Sequence, residues 1–433
     1  MQIKLLPLLF LLSTQTCLSA AKIESWSTSQ GSRVFYVRTE GLPMVDIEVV
    51  FDAGSARDGS QHGISELTST MLGTGAGEWN ADAIALRFES VGAVFGAGSS
   101  KDRAWVSLRT LTQQNLFTKA LATMQAILTK PVFNQQDFAR EKSRTLVGLK
   151  HREESPGALA AITYSKAVFG DHPYAHPGSG FIETVEKITT DDLADFYKKY
   201  YVAANAMIVI VGDLNKQQAA QTAETLLADL SAGSKPEDIP PVAMSTKGKF
   251  QHIDFESTQT HVLSGLPGTH RNDEDYFTLY VGNHILGGSG LVSKLFKEVR
   301  EKRGLAYSAS SHFSPYFRKG AFTMGLQTRN DQTSKALKVL TQTLQDFIDQ
   351  GPTEAELIAA KKNIRGGFAM RIDTNSKLTN YVSMIGFYNK PLNYLDIFQE
   401  KVEAVTTASI KDAFKRRIDP KLLQTITVGG SEK

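Results

Sequence analysis

The sequence predicts two similar halves, each combining strands with helices, and three observations carry that prediction. The chain has 433 residues, 41% of them hydrophobic, which is too long for one ordinary core and apolar enough for two. Laid on its own middle at an offset of 217 residues, the end of the chain repeats itself. Val185-Glu186-Lys187-Ile188-Thr189-Thr190 returns as Val402-Glu403-Ala404-Val405-Thr406-Thr407, and Ile210-Val211-Gly212 returns as Thr427-Val428-Gly429. Two matches in one register point to a duplicated unit of capped helix, polar turn, apolar strand and glycine. Between the copies, Ser231 to Lys249 holds Gly233, Lys235-Pro236, Pro240-Pro241 and Gly248, the composition of a linker. The layout expected is a first domain over residues 22–230, a linker over 231–249 and a second domain over 250–433.

Taken in order, residues 1–21 carry an early cation at Lys4, the apolar run Leu5 to Leu12 and the small residues Ser19, Ala20 and Ala21. That is the anatomy of a cleaved secretory signal, so a periplasmic or secreted chain beginning near Lys22 is expected. The run is too short to span a bilayer, and no later stretch is longer, so no membrane anchor is expected. Cys17 is the single cysteine and is expected to leave with the signal; the alternative, a lipid-anchored cysteine, is poorly matched by Thr14, Gln15 and Thr16 ahead of it. No disulfide or thiolate metal site is therefore expected in the mature chain. A formal net charge of +3 gives no reason to expect nucleic acid. Asp46 to Ala53 alternates as a strand, and Gly63 to Leu72 puts Ile64, Leu67 and Met71 on one helical face. A strand follows at Trp105 to Leu111, then helices over Leu116 to Leu128 and Gln135 to Arg152, the second ending before Pro156. Thr189, Thr190 and two aspartates open a helix running to Tyr201, and Met207 to Gly212 is a buried strand. In the second half, Leu295, Phe296 and Val299 form an apolar stripe, four cations from Lys297 to Arg303 crowd a helix end, Gly304 stops it, and Leu305 to Phe313 reads as a strand. Arg300 and Tyr307 bracket that turn.

Three stretches carry a resemblance. They are Gly54-Ser55-Ala56-Arg57-Asp58 with Gly63-Ile64-Ser65-Glu66-Leu67, Phe169-Gly170-Asp171-His172-Pro173-Tyr174-Ala175, and Ile285-Leu286-Gly287-Gly288 leading into Arg300-Glu301-Lys302-Arg303-Gly304-Leu305-Ala306-Tyr307. Across nearly all of the mature chain the sequence resembles the pitrilysin/insulinase-type zinc metallopeptidases, including mitochondrial processing peptidase and the cytochrome bc1 core proteins. The resemblance implies an α+β fold of two duplicated domains, each a mostly antiparallel sheet covered by helices, the whole forming half of a clamshell around an extended peptide.

Active members of that family place an inverted zinc motif, H-x-x-E-H, on the first helix. Here the aligned positions are Glu66, Ser69 and Thr70, and none is histidine. The third ligand would fall near Thr145 to Lys150, a stretch without an acid. No catalytic residue and no metal are therefore expected in this chain. The histidines offer no replacement by spacing: His172 and His176 are separated by Pro173 in a loop, while His62 and His151 sit at helix ends. In the family the second half supplies an arginine and a tyrosine seven residues apart that bind the substrate backbone, and Arg300 and Tyr307 match that pair. The resemblance thus implies an exported, non-catalytic subunit. Its partner would be a zinc-bearing homologous subunit, and its ligand a peptide or unfolded protein. The alternative is an inert structural or peptide-binding scaffold like the bc1 core proteins.

Overall fold

The computed structural model describes residues 22–430. The expected signal segment, with Cys17, lies outside them. The first half runs β1 (Glu24–Ser27), β2 (Arg33–Arg38), β3 (Met44–Phe51), α1 (Ile64–Met71), a short ribbon of β4 (Gly75–Ala76) and β5 (Trp79–Asn80), and α2 (Ala81–Glu89). It continues through β6 (Val94–Ser99), β7 (Ala104–Leu111), α3 (Gln114–Thr129), α4 (Gln135–Glu153), α5 (Pro156–Phe169), α6 (Ile182–Val185), α7 (Thr190–Tyr200), β8 (Ala206–Gly212) and α8 (Lys216–Leu227). The second half runs β9 (Lys249–Asp254), β10 (Gln259–Pro267), α9 (Tyr276–Asn283), α10 (Lys294–Phe296), β11 (Ala306–Phe313) and β12 (Ala321–Arg329). It closes with α11 (Thr333–Gln350), α12 (Glu354–Gly366), α13 (Asn375–Phe387), α14 (Tyr394–Glu403), α15 (Thr407–Arg417) and β13 (Gln424–Gly429).

The two sheets share one plan. The first is ordered β1-β2-β8-β3-β7-β6 and the second, read from its other end, β9-β13-β10-β12-β11. Pairing is antiparallel except at β2–β8 and β9–β13, which are parallel and occupy matching places. The repeat seen in the sequence has a local cause in each copy. Thr189 and Thr406 each cap their helix reciprocally, with Asp192 and Ser409 respectively, which satisfies backbone donors that the first turn leaves open. Gly212 and Gly429 end the following strands where a Cβ would lie 2.5 Å from the Met44 carbonyl and 2.6 Å from the Thr260 Cα. Only a residue without a side chain fits so close to the neighbouring strand.

Helices α5 and α13 are exchanged between the halves. α4 ends at Glu153, before Pro156 as expected, and Pro156 also opens α5 at N1 behind a Ser155 cap, where a missing N–H costs nothing. α5 then packs on β10 and β13 of the second sheet, where Ala160, Tyr164 and Val168 meet Ile426 and Val428. Reciprocally, α13 packs on β8, β3 and β2 of the first. Alternation along those strands sends Phe35, Val37, Met207, Val209 and Val211 into the core cluster of the second half, and Val34, Tyr36, Ile208 and Ile210 into that of the first. Each sheet is covered on one face by its own helices and on the other by a helix from the opposite half.

Polar groups lock this arrangement. Asp102, in the β6–β7 turn and 1% exposed, accepts hydrogen bonds from the Tyr174 hydroxyl (2.6 Å), the Tyr388 hydroxyl (2.9 Å) and the Phe317 N–H (2.8 Å). Burial raises its pKa while those donors pull it down. Glu48 accepts from Ser383 at 2.7 Å, and Arg103 donates to the same hydroxyl at 2.7 Å. Asp102→Ala strands three buried donors from both halves, so it is expected to lower the unfolding free energy by about 2 to 4 kcal/mol, with Asp102→Asn costing less. A urea midpoint unchanged in Asp102→Ala would show that water replaces the carboxylate without loss.

Candidate functional site

The helix on which a metal motif would sit is α1. Asp58 accepts from the N–H groups of Gly63 (2.8 Å) and Ser65 (3.2 Å), placing a carboxyl at the open, positive end of the helix. Glu66 and Thr70 are exposed one turn apart, and Ser69 is buried. Both hydroxyls are already engaged. Thr70 donates to the Glu66 carbonyl at 2.9 Å, while Ser69 donates to the Ser65 carbonyl at 2.9 Å and lies 3.1 Å from the buried Tyr201 hydroxyl. Near Glu66 stands Arg152, at the end of α4, donating to the Ser179 hydroxyl and the Gly180 carbonyl. Desolvation raises the Glu66 pKa and the Arg152 charge opposes that rise. One carboxylate, two engaged hydroxyls and a guanidinium do not fit zinc, which takes imidazole, thiolate and carboxylate ligands in a tetrahedral set. Among the described residues no group of three or more His, Cys, Asp or Glu side chains is placed to hold a metal ion.

Arg300 and Tyr307 come together. The Arg300 guanidinium carbon lies 4.3 Å from the Tyr307 ring centroid and 4.9 Å from that of Phe296. Gly304, at φ +61°, turns the chain back so that its N–H reaches the Arg300 carbonyl and that of Leu305 reaches the Val299 carbonyl, both at 2.9 Å. The helix expected here departs from regularity: Lys297–Glu301 is a single π turn, an irregularity often found at working sites. β11 is the edge of its sheet and its register shifts between Ala306 and Ala309, so Tyr307 sits on a bulge and is 80% exposed. Among the described residues no protein acceptor faces the Arg300 guanidinium. Arg300 is half-buried, and its guanidinium, stacked on the ring, can donate to an external carbonyl or carboxylate.

Sequence spacing missed a third feature, a cavity of about 970 Å³ whose wall brings His62, His172 and His176 together. The His62 and His176 rings stack at 4.0 Å. His172 accepts the Tyr174 N–H on Nδ1 (3.1 Å), so Nε2 carries the proton it donates to the Pro240 carbonyl (2.9 Å). Burial lowers the pKa of all three, that of His176 to about 4. Beneath them burial also pushes Asp58 up to about 7 and Lys101 down to about 8, with the Lys101 ammonium bonded to the His176 carbonyl. The Phe169 to Ala175 motif marks this loop in the sequence, but nothing in its spacing joins it to His62.

Asp58 and His176 have opposite linkage to folding. The Asp58 pKa is raised on folding, so its contribution is present at low pH and lost as pH rises through about 4 to 7. The His176 pKa is depressed, so its contribution is present above about 6.5 and lost as pH falls towards 4. Between about pH 4 and 6.5 the two offset. In His176→Gln the stability difference, variant minus wild type, is expected to fall as pH rises across that window, and in Asp58→Asn to rise. Urea unfolding at several pH values reads both slopes, and parallel curves for all three proteins would refute the assignment.

Comparison with known proteins follows the same outline. Residues 33–177 match the family profile described as insulinase (peptidase family M16), and residues 187–364 match that of the peptidase M16 inactive domain. A crystal structure of a peptidase M16 inactive domain from Pseudomonas fluorescens superposes with a TM-score of 0.92 at 35% identity, over 95% of this chain and 99% of that one. A protein of Helicobacter pylori named non-peptidase homolog YmxG is 26% identical over 406 residues, covering 92% of each chain. An uncharacterized zinc protease of Rickettsia bellii is 27% identical over 383 residues, covering 86% of this chain and 91% of the relative.

Proposed function

The chain belongs to the insulinase-type peptidase family M16, and on that premise we propose that it is a non-catalytic subunit that clamps peptide for a zinc-bearing sister chain. One observation carries the reading: an arginine with open donors is stacked on an exposed tyrosine, while the helix that would bear the metal motif has Glu66, Ser69 and Thr70. Supporting it, the two halves form half of the family's clamshell, so a chamber closed around peptide requires a second chain of similar build. The name non-peptidase homolog, borne by the H. pylori relative, agrees with the missing ligand set. The name zinc protease, borne by the R. bellii relative, does not transfer, because the donor set on α1 and the 145–150 stretch of α4 does not suit zinc.

In the assembled pair, water activation and carbonyl polarisation belong to the sister chain's metal. This chain contributes position. Arg300 presents guanidinium donors and Tyr307 a phenolic donor to the peptide backbone, holding an extended substrate in register. Export of the chain belongs to the same proposal, resting on Lys4, the Leu5 to Leu12 run and the small residues before Lys22. N-terminal sequencing of protein taken from its own cells is expected to begin near Lys22, and a mature chain starting at Met1 would remove the periplasmic or secreted location.

A hydrogen bond to a charged group contributes about 1.5 to 3 kcal/mol, so Arg300→Ala is expected to lower kcat/KM of the assembled pair by about 10- to 150-fold. Tyr307→Phe, which keeps the ring under the guanidinium, is expected to cost less. A merely structural arginine at a helix end would change stability by under about 1 kcal/mol and turnover not at all. Full activity in Arg300→Ala with normal assembly and melting would leave the scaffold reading standing instead.

A further inference from the structure

The two sheets differ at one edge. In the first, β1 covers β2 in antiparallel register, from Glu24 opposite Tyr36 to Ser27 opposite Arg33. In the second, β9 takes the place of β2 and ends the sheet. Arg38 pairs with Gly212 and Asp254 with the equivalent Gly429, so Arg33–Tyr36 correspond to Lys249–His252. The covered stretch of β2 is mostly buried, whereas all four residues from Lys249 to His252 are exposed, Phe250 by 63%. The Lys249 N–H donates to the Leu423 carbonyl (3.1 Å) and the Phe255 N–H to the Gly429 carbonyl (2.9 Å). Odd-numbered positions of β9 therefore turn their backbone groups towards β13, and Phe250, His252 and Asp254 turn theirs outward, where no strand among the described residues meets them.

The histidine-lined cavity lies beside this open edge. Lys249 and Gln251 line it from β9, Ile162 and Ala167 from α5, and Phe181 from the far wall. Space, side-chain wall and unpaired backbone thus coincide where the first half has a strand and the second has none. We propose that β9 receives an extended segment of another polypeptide as an added antiparallel strand, with alternate side chains entering the cavity over Lys249 and Gln251. Main-chain hydrogen bonds would supply binding with little demand on sequence, and the cavity would select apolar side chains. Among the described residues Lys249 has no acidic partner, so a carboxylate near the strand end is favoured. The site lies on the opposite edge of the sheet from β11 and Tyr307, and does not depend on the role given to them.

The test uses the purified full chain and a fluorescein-labelled, capped decapeptide that alternates threonine with valine and phenylalanine and carries a glutamate at each end. Anisotropy is expected to report binding, and hydrogen exchange to slow at the amides of Phe250, His252 and Asp254. Phe250→Pro deletes an outward N–H that β13 does not use, and is expected to weaken Kd at least tenfold with melting unchanged. Gln251→Trp, which fills the mouth of the cavity and leaves the backbone intact, is expected to do the same. The proposal is overturned if the peptide does not bind, if both β9 variants bind it normally, or if protection appears at β6 or β11 instead. It is equally overturned if β9 becomes protected without peptide as the protein self-associates, since the occupant is then a second copy.

Discussion

Asp102 holds the two halves to one another. A buried carboxylate is stable only where donors surround it, and here they come from the loop after α5, the end of α13 and the β11–β12 turn. Those three pieces flank the exchanged helices, so the charge that burial makes costly is also the point at which their positions are fixed relative to one another. Glu48 with Ser383 and Arg103 does the same from the next strand over. Neither network involves the face of α1 that carries Glu66 and Thr70, or the edge that carries Tyr307. These networks, which tie the halves together, thus lie apart from the surfaces proposed to meet other molecules.

The residues that stand at the metal position are bonded within the fold. Ser69 completes a hydrogen-bonded contact with Tyr201 inside the first core, and Thr70 bonds back to its own helix. Ser69 and Thr70 themselves are fully bonded, whereas the neighbouring Ser65 and Thr68 hydroxyls and the Arg152 Nε are buried without a partner. The neighbouring guanidinium of Arg152, tied to the 179–180 loop, also makes this surface unsuitable for a cation.

Much of this was legible in the sequence, and for identifiable reasons. Capping threonines and crowded glycines are local requirements, so their recurrence at Thr189 and Thr406, and at Gly212 and Gly429, exposed the duplication without any structure. The turn at Gly304 was readable for the same reason, and it carried Arg300 and Tyr307 into one place. The exchange of α5 and α13 was not readable. α5 is apolar around most of its circumference, which states that it is buried but not against what, and the proline at its start resembles the end of the preceding helix. The π turn at Lys297–Glu301 has no residue signature, and the stacking of His62 on His176 joins a helix start to a proline-rich loop far along the chain. Long-range register is a property of the packed sheet, and single-sequence periodicity does not contain it.

The exchanged helices bear on the order in which the molecule is made. When a ribosome has released β8, the first sheet is complete in hydrogen bonds, yet the face bearing Phe35, Val37, Met207, Val209 and Val211 has no cover until Asn375–Phe387 emerges. α5 waits similarly for β10 and β13, the last of which ends at Gly429. Synthesis therefore passes through a long interval in which one apolar sheet face and one apolar helix are both exposed, the condition under which nascent chains need a chaperone. Severing the chain anywhere in 231–248 after folding would separate no domain, because each fragment keeps a helix locked in the other.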